Sequence, residues 1–489
     1  MNFRIISRLL SFITGFIGLA FVVSWGVGLS FGDALDSDIS LKWLGLIVLT
    51  FLLALFLYFE GRTATKRFFK KDALCVTGAG WLVSSFLGAM PYYVILHGCR
   101  FYDGLFEIAS GLTTTGATVF GDVESFPVSL AFWRVLSQWV GGIGIITFCV
   151  ILFAFMGVGA KILYTKESSA QAVDLDSNKI QSTVFQLLFL YCVLSFLCAV
   201  SYHLCGLAWF DAVCQMFGTL STSGFCIRNA GVAFYKNPAF EWAMILFMMI
   251  GGLNFFVLLK MAKRDFPSIK KNQELLAYLL IIAVASILLC LLLVFKQKTM
   301  GVGDCVRHSI FQVVSILTTS GYNSVDFQQW IPSTHTLLIL LMFIGGCSGS
   351  TAGGIKVFRF ILGLKIGFSH MEKTFRTKIV RAVFNQGEAI EESTQLEIST
   401  HLLLYAFVCF FSLIFLAIFE PVLSFEGSFS AMISCLSNVG PGFAELGPAQ
   451  NYGFLSGITK IYLSILMIAG RLELYAIIVL FTPQFWRNF

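Results

Sequence analysis

Long runs of apolar residues alternate with short polar segments along the whole chain. A helix needs about 20 mainly apolar residues to cross the hydrocarbon core of a bilayer. The candidate spans lie at about residues 5–30, 41–60, 73–97, 129–157, 179–205, 238–262, 273–296, 334–368, 395–420 and 457–482. This pattern predicts about ten crossings and an all-α polytopic membrane protein.

Four shorter apolar stretches lie between some of these spans. They occupy about residues 103–114, 210–221, 306–318 and 427–437. Each is too short to cross the hydrocarbon core and too apolar for an ordinary exposed loop. We interpret them as half-helices that enter the membrane and turn back within it.

Each half-helix is followed by hydroxyl or amide residues and then by one glycine. The four glycines are Gly116, Gly224, Gly321 and Gly440. The span after each glycine carries a Gly-Gly pair in three cases and a single glycine in the fourth: Gly141-Gly142, Gly251-Gly252, Gly345-Gly346 and Gly470. The order helix, half-helix, filter segment and helix therefore occurs four times in tandem, after two extra N-terminal helices.

This repeat predicts a division of the chain into five parts. They are two N-terminal helices (1–72), pore repeat 1 (73–172), pore repeat 2 (173–271), pore repeat 3 with an intramembrane gating loop (272–386) and pore repeat 4 (387–489).

Irregular backbone at membrane depth is tolerated only where it is buried in protein or lines a watery cavity. Four such segments meet this condition together if they surround one pore, as in potassium filters, where rings of backbone carbonyls replace the hydration shell of the ion. One isolated copy would favour a loop between helices, but four copies in register favour a filter. The predicted K⁺-binding residues are Thr114, Thr115, Gly116, Ser221, Thr222, Gly224, Thr318, Thr319, Gly321, Ser437, Asn438 and Gly440.

The stretch from Gly345 to Gly354 contains five glycines inside a candidate span: Gly345, Gly346, Gly349, Gly353 and Gly354. Each glycine costs a helix about 1 kcal/mol relative to alanine, so a continuous helix is not expected here. We predict a break that places an irregular gating loop under the filter. The alternative is a close-packed helix crossing built on small residues.

Arg471 lies in an apolar run, with Glu473 two residues later. A charge at membrane depth is costly and usually faces a polar interior. Facing the pore at about 6 Å, Arg471 would repel a cation by roughly 3 kcal/mol at an effective dielectric of 20, which suits a gating role. The alternative is a salt bridge to Glu473 or to a carboxylate on another helix.

Composition supports a membrane protein and argues against several other classes. Hydrophobic residues make up 57% of the chain and charged residues 12%, against about 25% charged in soluble proteins. The net charge of +6 does not indicate nucleic-acid binding, because the basic residues sit in short clusters between apolar runs. With these clusters in the cytoplasm, both termini are cytoplasmic in a multi-pass protein of the cell inner (plasma) membrane. The spans carry no nucleophile–base pair or metal constellation, so we expect no enzyme and no organic cofactor.

These motifs together resemble the Trk/Ktr/HKT superfamily of potassium transporters, specifically its TrkH type. The matching segments are Ser110–Thr118, Gly345–Val357, Asn438–Gly442, Gly470–Glu473 and Leu480–Trp486. The resemblance covers nearly the whole chain and includes the two extra N-terminal helices. It implies potassium uptake, with a glycine in all four filters favouring potassium, a gating loop in repeat 3 and a pore-facing Arg471.

The resemblance also implies partners. Besides membrane lipid, they are a second copy in a homodimer and a cytosolic nucleotide-binding (TrkA-like) regulatory subunit. An alternative function is an ion-coupled secondary carrier, which would move potassium by symport with protons or sodium, or move another solute. Carriers usually show inverted repeats, whereas the four repeats here are predicted to share one orientation.

Overall fold

The computed structural model describes residues 2–33, 36–64, 70–156, 177–270, 272–297, 301–376, 383–385 and 388–486. Nearly all regular structure in these ranges is helical. The strands Phe384–Asn385 and Glu388–Ala389 form one short antiparallel pair. The longer helices are Phe3–Phe31, Ser37–Glu60, Lys70–Ile95, Phe101–Leu112, Val128–Met156, Ser177–Leu204, Trp209–Leu220, Pro238–Gly251, Phe255–Ala262, Gln273–Leu292, Val302–Leu317, Pro332–Phe343, Val357–Phe375, Glu392–Phe419, Phe425–Ser437 and Gly457–Arg471. Shorter helical segments are Gly231–Tyr235, Phe266–Lys270, Leu293–Gln297, Phe327–Gln329, Ala444–Leu446, Tyr475–Ile478, Val479–Phe481 and Pro483–Trp486.

Within the described residues, six helices are long and apolar enough to cross a bilayer. They are Phe3–Phe31, Ser37–Glu60, Leu74–Ile95, Phe185–Leu204, Gln273–Gln297 and Glu392–Phe419. The helices Pro238–Gly251 and Phe255–Ala262 meet at 103° and add a seventh crossing if this bent pair is counted as one span. Large apolar side chains such as Phe56, Phe189 and Ile287 are exposed on the outer faces of these helices, where only hydrocarbon would solvate them favourably. The predicted all-α polytopic membrane protein is confirmed.

The four predicted half-helices are present as buried helices at the centre of the fold. We call them pore helices 1 to 4: Phe101–Leu112, Trp209–Leu220, Val302–Leu317 and Phe425–Ser437. Each carries an acidic residue in its first turn, where a negative charge is favourable beside the N-terminal end of the helix dipole.

Pore helix 1 also packs against helix Gly457–Arg471 of repeat 4. Lys460 on that helix forms a partly buried ion pair with Asp103 on pore helix 1, at 2.6 Å. The last repeat therefore returns to the first, and the four repeats surround one axis.

The two extra helices attach to repeat 1 at the start of helix Val128–Met156. Asp33 accepts hydrogen bonds from the backbone N–H groups of Val128 and Ser129, at 2.9 and 2.8 Å. Trp43 Nε1 donates to Ser129 Oγ at 2.9 Å. These buried polar contacts cap helix Val128–Met156 from another part of the chain.

Two predicted spans are interrupted. Over 334–368, helix Pro332–Phe343 ends before the glycines and the next helix begins at Val357, which agrees with the predicted break. The sequence predicts one continuous span over 457–482, and the structure differs, because the helix ends at Arg471. Glu473 and Leu474 have φ values of 57° and 68°, so the chain turns sharply there.

Candidate functional site: a ring of four glycine-centred segments and the loop against it

Every pore helix ends in the same backbone motif. The residue two positions before the filter glycine is left-handed, with φ between 55° and 58°: Thr114, Thr222, Thr319 and Asn438. The next residue donates its N–H to a carbonyl five positions earlier at 2.7–2.9 Å, in the pairs Thr115–Ser110, Ser223–Gly218, Ser320–Ser315 and Val439–Ser434. This is the Schellman ending of a helix. Threonine is strained in this conformation, so the surrounding contacts, and not local preference, fix these turns.

The four filter glycines are also left-handed, with φ values of 85°, 90°, 70° and 106°. A Cβ atom on each would strike the backbone carbonyl that precedes the glycine of the following repeat. The contacts are Gly116 with Ser223, Gly224 with Ser320, Gly321 with Val439 and Gly440 with Thr115. This series runs from repeat 1 through repeat 4 and back to repeat 1. The four segments therefore form a closed ring, in which only glycine lets neighbouring backbones approach so closely.

The hydroxyl groups three positions before the glycines point back into the pore helices. Those of Thr113, Ser221 and Thr318 donate to helix carbonyls at 2.6–2.7 Å. Ser437 Oγ instead lies 2.7 Å from the hydroxyl of Tyr405. All four hydroxyls are therefore engaged in hydrogen bonds, three with pore-helix carbonyls and one with Tyr405.

The loop from Gly345 to Lys356 lies against the ring on the side of the left-handed threonines. Gly353 donates its N–H to Thr319 Oγ1 at 2.7 Å, and Thr351 Oγ1 lies 3.2 Å from Thr222 Oγ1. A Cβ on Gly353 would also crowd Asn438. The loop therefore touches filter segments 2, 3 and 4 at once and covers this side of the ring.

Charged side chains hold this loop in place. Arg471 Nη1 donates to the Thr351 carbonyl at 2.6 Å, and Lys356 donates to the Ala352 carbonyl. Both cations are buried. On the other side of the loop, Glu274 Oε1 accepts the N–H of Ser348 at 2.6 Å.

Residues after the glycines line a cavity of about 370 Å³ on the opposite side of the ring, which we call the vestibule. The vestibule receives backbone or side chains from all four filter segments, including Thr118, Cys226, Asn323 and Pro441. Two arginines reach it, and each is paired with a carboxylate. Arg134 bonds Glu107 at 2.6 Å and Arg228 bonds Asp211 at 3.1 Å.

An exposed acidic side chain lies in the loop beside the vestibule. Asn229 Nδ2 donates to Asp122 Oδ1 at 2.8 Å. This hydrogen bond lowers the pKa of the Asp122 carboxyl, because it stabilises the ionised form. Asp122 therefore adds a negative charge near the mouth of the vestibule.

A family model described as TrkH, cation transport protein, matches residues 40–488. The chain belongs to the TrkH family of cation transport proteins. This membership confirms the resemblance found in the sequence. Because the TrkH family is a family of transporters, it also confirms that the chain is not an enzyme.

Full-length relatives and a solved structure agree with TrkH membership. The chain is 31% identical to the Trk system potassium uptake protein TrkH of Halomonas elongata and 28% identical to that of Escherichia coli, over 100% of both chains in each case. The crystal structure of the potassium transporter TrkH from Vibrio parahaemolyticus superposes with a TM-score of 0.89 and 26% identity, again over 100% of both chains.

The twelve filter residues predicted from the sequence all lie in the four segments of this TrkH ring and are brought together by it. The residues predicted in the four repeats do not occupy equivalent positions, however. Thr115 stands directly before its glycine, whereas Ser221, Thr318 and Ser437 stand three positions before theirs. The residues equivalent to Thr115 are Ser223, Ser320 and Val439, which the prediction missed. Counting back from each glycine identifies them.

The predicted gating residues also lie together in this TrkH chain. Gly345, Gly346, Gly349, Gly353 and Gly354 all belong to the loop that covers the ring. Arg471 reaches the same loop, while Glu473 pairs with Arg359 at 2.6 Å. Among the described residues, no group of three or more His, Cys, Asp or Glu side chains is arranged to hold a metal ion.

Proposed function

We propose that this chain conducts potassium ions through the ring of its four filter segments. The closed series of contacts between each glycine and the carbonyl of the next repeat carries the proposal. A ring of backbone carbonyls can replace the hydration shell of an ion that passes along its axis. The full-length relatives are named potassium uptake proteins, which supports potassium as the transported ion.

Several features of the ring favour a monovalent cation. The four pore helices end at the filter, so the negative ends of their dipoles are directed at the pore. The ring offers carbonyls and hydroxyls, with no carboxylate among the twelve predicted filter residues, and such neutral oxygens suit a weakly hydrated ion. The segments lack the regular Thr-Val-Gly-Tyr-Gly filter of a potassium channel, so we propose weaker discrimination against sodium than in such a channel.

In the proposed function, the loop from Gly345 to Lys356 is the gate and the structure is its closed state. Contacts of Gly353 and Thr351 with the filter support this assignment. Conduction then requires the loop to leave the axis, which breaks the hydrogen bond from Arg471 to Thr351. Arg471 contributes a second barrier, because its charge repels a cation that leaves the filter.

The proposal includes the setting in which the pore works. The protein lies in the cell inner membrane with both termini in the cytoplasm and the vestibule outside, as the basic clusters between spans indicate. It acts as a homodimer with a cytosolic nucleotide-binding (TrkA-like) subunit that moves the gate. The name Trk system, borne by the relatives, supports a multicomponent system. The five-part division of the chain at residues 72, 172, 271 and 386 stays a prediction.

Ion flux into liposomes that contain only the purified protein tests this function. Because the gate is closed without the partner subunit, we expect a low basal flux in which potassium exceeds sodium. Replacement of Gly116 by a larger residue should abolish this flux. The matched control is Gly26→Ala, because a Cβ there has no atom within 4 Å. Folded protein that shows no preference for potassium would overturn the proposed function. Potassium flux that requires a proton or sodium gradient would establish the secondary carrier instead.

A further inference from the structure

The ring of filter segments departs from fourfold symmetry at one buried ion pair. Nine positions before the filter glycines, the pore helices carry Glu107, Gln215, Gln312 and Ala431, all fully buried. Seven positions before Gly141, Gly251, Gly345 and Gly470 stand Arg134, Met244, Leu338 and Leu463, also buried. Only repeat 1 has charges at these two equivalent positions, and they are paired with each other.

Glu107 holds the part of filter segment 1 that follows Gly116. Its carboxylate accepts hydrogen bonds from Thr118 Oγ1 at 2.9 Å and from the Val119 N–H at 3.0 Å. The remaining partner is Arg134 Nε, at 2.6 Å. A buried carboxylate that accepts several hydrogen bonds and faces one arginine fixes the positions of all its donors.

Arg134 reaches the neighbouring filter segment. Its Nη1 donates to the Cys226 carbonyl at 2.8 Å, and its guanidinium lies over the Phe225 ring, 3.7 Å from the centroid. Both residues directly follow Gly224 in filter segment 2. The planar guanidinium therefore bonds Glu107 along one edge and filter segment 2 along another, a geometry that a lysine cannot reproduce.

We propose that Glu107 and Arg134 are positioning residues that set the ion selectivity of the filter by holding segments 1 and 2 at a fixed separation. This role rests on the proposed potassium-conducting function and adds to it the residues that make conduction selective. Neutralisation of the Arg134 charge by Glu107 has a second effect, since Arg134 lines the vestibule through which cations approach. The fixed separation of segments 1 and 2 therefore determines selectivity, whereas the neutralised charge of Arg134 affects the rate of conduction.

Single and double variants of this pair separate the effect on conduction from the effect on selectivity. Glu107→Gln keeps an acceptor for Thr118 and Val119 but leaves the Arg134 charge unpaired at the vestibule. We expect potassium flux to fall about tenfold, the effect of a unit charge about 10 Å from the ion path at an effective dielectric of 20. The double variant E107Q/R134M gives repeat 1 the Gln and Met side chains of repeat 2. It should recover flux, because no charge is left unpaired.

Selectivity is the decisive measurement. In E107Q/R134M and in Arg134→Lys, the potassium-to-sodium flux ratio should fall at least about threefold, because the bond from the guanidinium to the Cys226 carbonyl is lost. Asp33→Asn is the matched control, since it neutralises another buried carboxylate away from the filter and should keep the wild-type ratio. Folding is checked for every variant by size exclusion and thermal melting in detergent.

The outcomes distinguish this inference from the function on which it rests. Wild-type protein without potassium preference would overturn the proposed function. Wild-type preference together with unchanged ratios in folded E107Q/R134M and Arg134→Lys would overturn the inference alone, leaving the pair a purely structural contact. A reduced ratio in both variants, with the Asp33→Asn ratio unchanged, supports it.

Discussion

Arg471 donates a hydrogen bond to the carbonyl oxygen of Thr351 across 120 positions of the chain, at 2.6 Å. Thr351 Oγ1 in turn lies 3.1 Å from the carbonyls of Leu220 and Gly251. One arginine in repeat 4 is thereby joined through one loop residue of repeat 3 to the pore helix of repeat 2. The loop that we propose as the gate is therefore a point of contact between three repeats.

Replacing Arg471 should open the gate. In Arg471→Gln the shorter neutral side chain loses the charge, which at about 6 Å and an effective dielectric of 20 is worth roughly 3 kcal/mol against a passing cation. We expect basal potassium flux in liposomes to rise at least about tenfold. The control Arg376→Gln removes an arginine from the exposed end of helix Val357–Phe375 and should leave flux unchanged. Equal flux in both variants would contradict a gating role for Arg471.

Glu274 should stabilise the closed loop from the side opposite Arg471. Glu274→Ala removes the acceptor for the Ser348 N–H, and a buried unsatisfied N–H costs about 1–3 kcal/mol. This cost destabilises the closed conformation of the loop relative to the open one. We therefore expect Glu274→Ala to raise basal potassium flux in liposomes severalfold. Glu274→Gln keeps an acceptor oxygen and should show the smaller rise. A drop in flux in folded Glu274→Ala would show that Glu274 supports the open state.

The filter ring should tolerate no side chain at its glycines. In Gly224→Ala the added methyl group meets the Ser320 carbonyl, and φ is 90°, a conformation unfavourable for alanine. Potassium flux should fall at least about tenfold. Gly45→Ala is the matched control, because no atom lies within 4 Å of its added Cβ and alanine favours the helix by about 0.5–1 kcal/mol. Wild-type flux and selectivity in Gly224→Ala would contradict the ring.

The start of helix Val128–Met156 should depend on Asp33 for stability. Asp33→Ala removes the acceptor for two N–H groups at the start of helix Val128–Met156. Loss of such a cap lowers the free energy of unfolding by about 1–2 kcal/mol, which should appear as a lower melting temperature in detergent. Asp38→Ala breaks only an exposed i,i+4 pair with Lys42 and should change stability by less than about 0.5 kcal/mol. Equal melting temperatures for the two variants would argue against the cap.

The sequence by itself determined the repeat and its chemistry. Apolar runs of different lengths separate crossing helices from pore helices, because the bilayer core has a fixed thickness. The sequence also identified the glycines at 116, 224, 321 and 440 as the centres of the filter segments. Unpaired backbone is excluded from lipid, so four glycine-centred segments at membrane depth must meet in the interior. The glycines from Gly345 to Gly354 likewise predicted a broken helix, since each one weakens a helix locally.

Only the tertiary structure decided which groups meet. Whether Glu473 pairs with Arg471 or with another cation depends on a turn at Leu474 and on Arg359, 114 positions away. The carbonyls of Ser223, Ser320 and Val439 adjoin glycines of other repeats, about 100 positions distant. The Glu107–Arg134 pair reaches Cys226 in the next repeat in the same way. Local sequence sets helix ends and backbone preferences, whereas these contacts arise when segments far apart in the chain close around one axis.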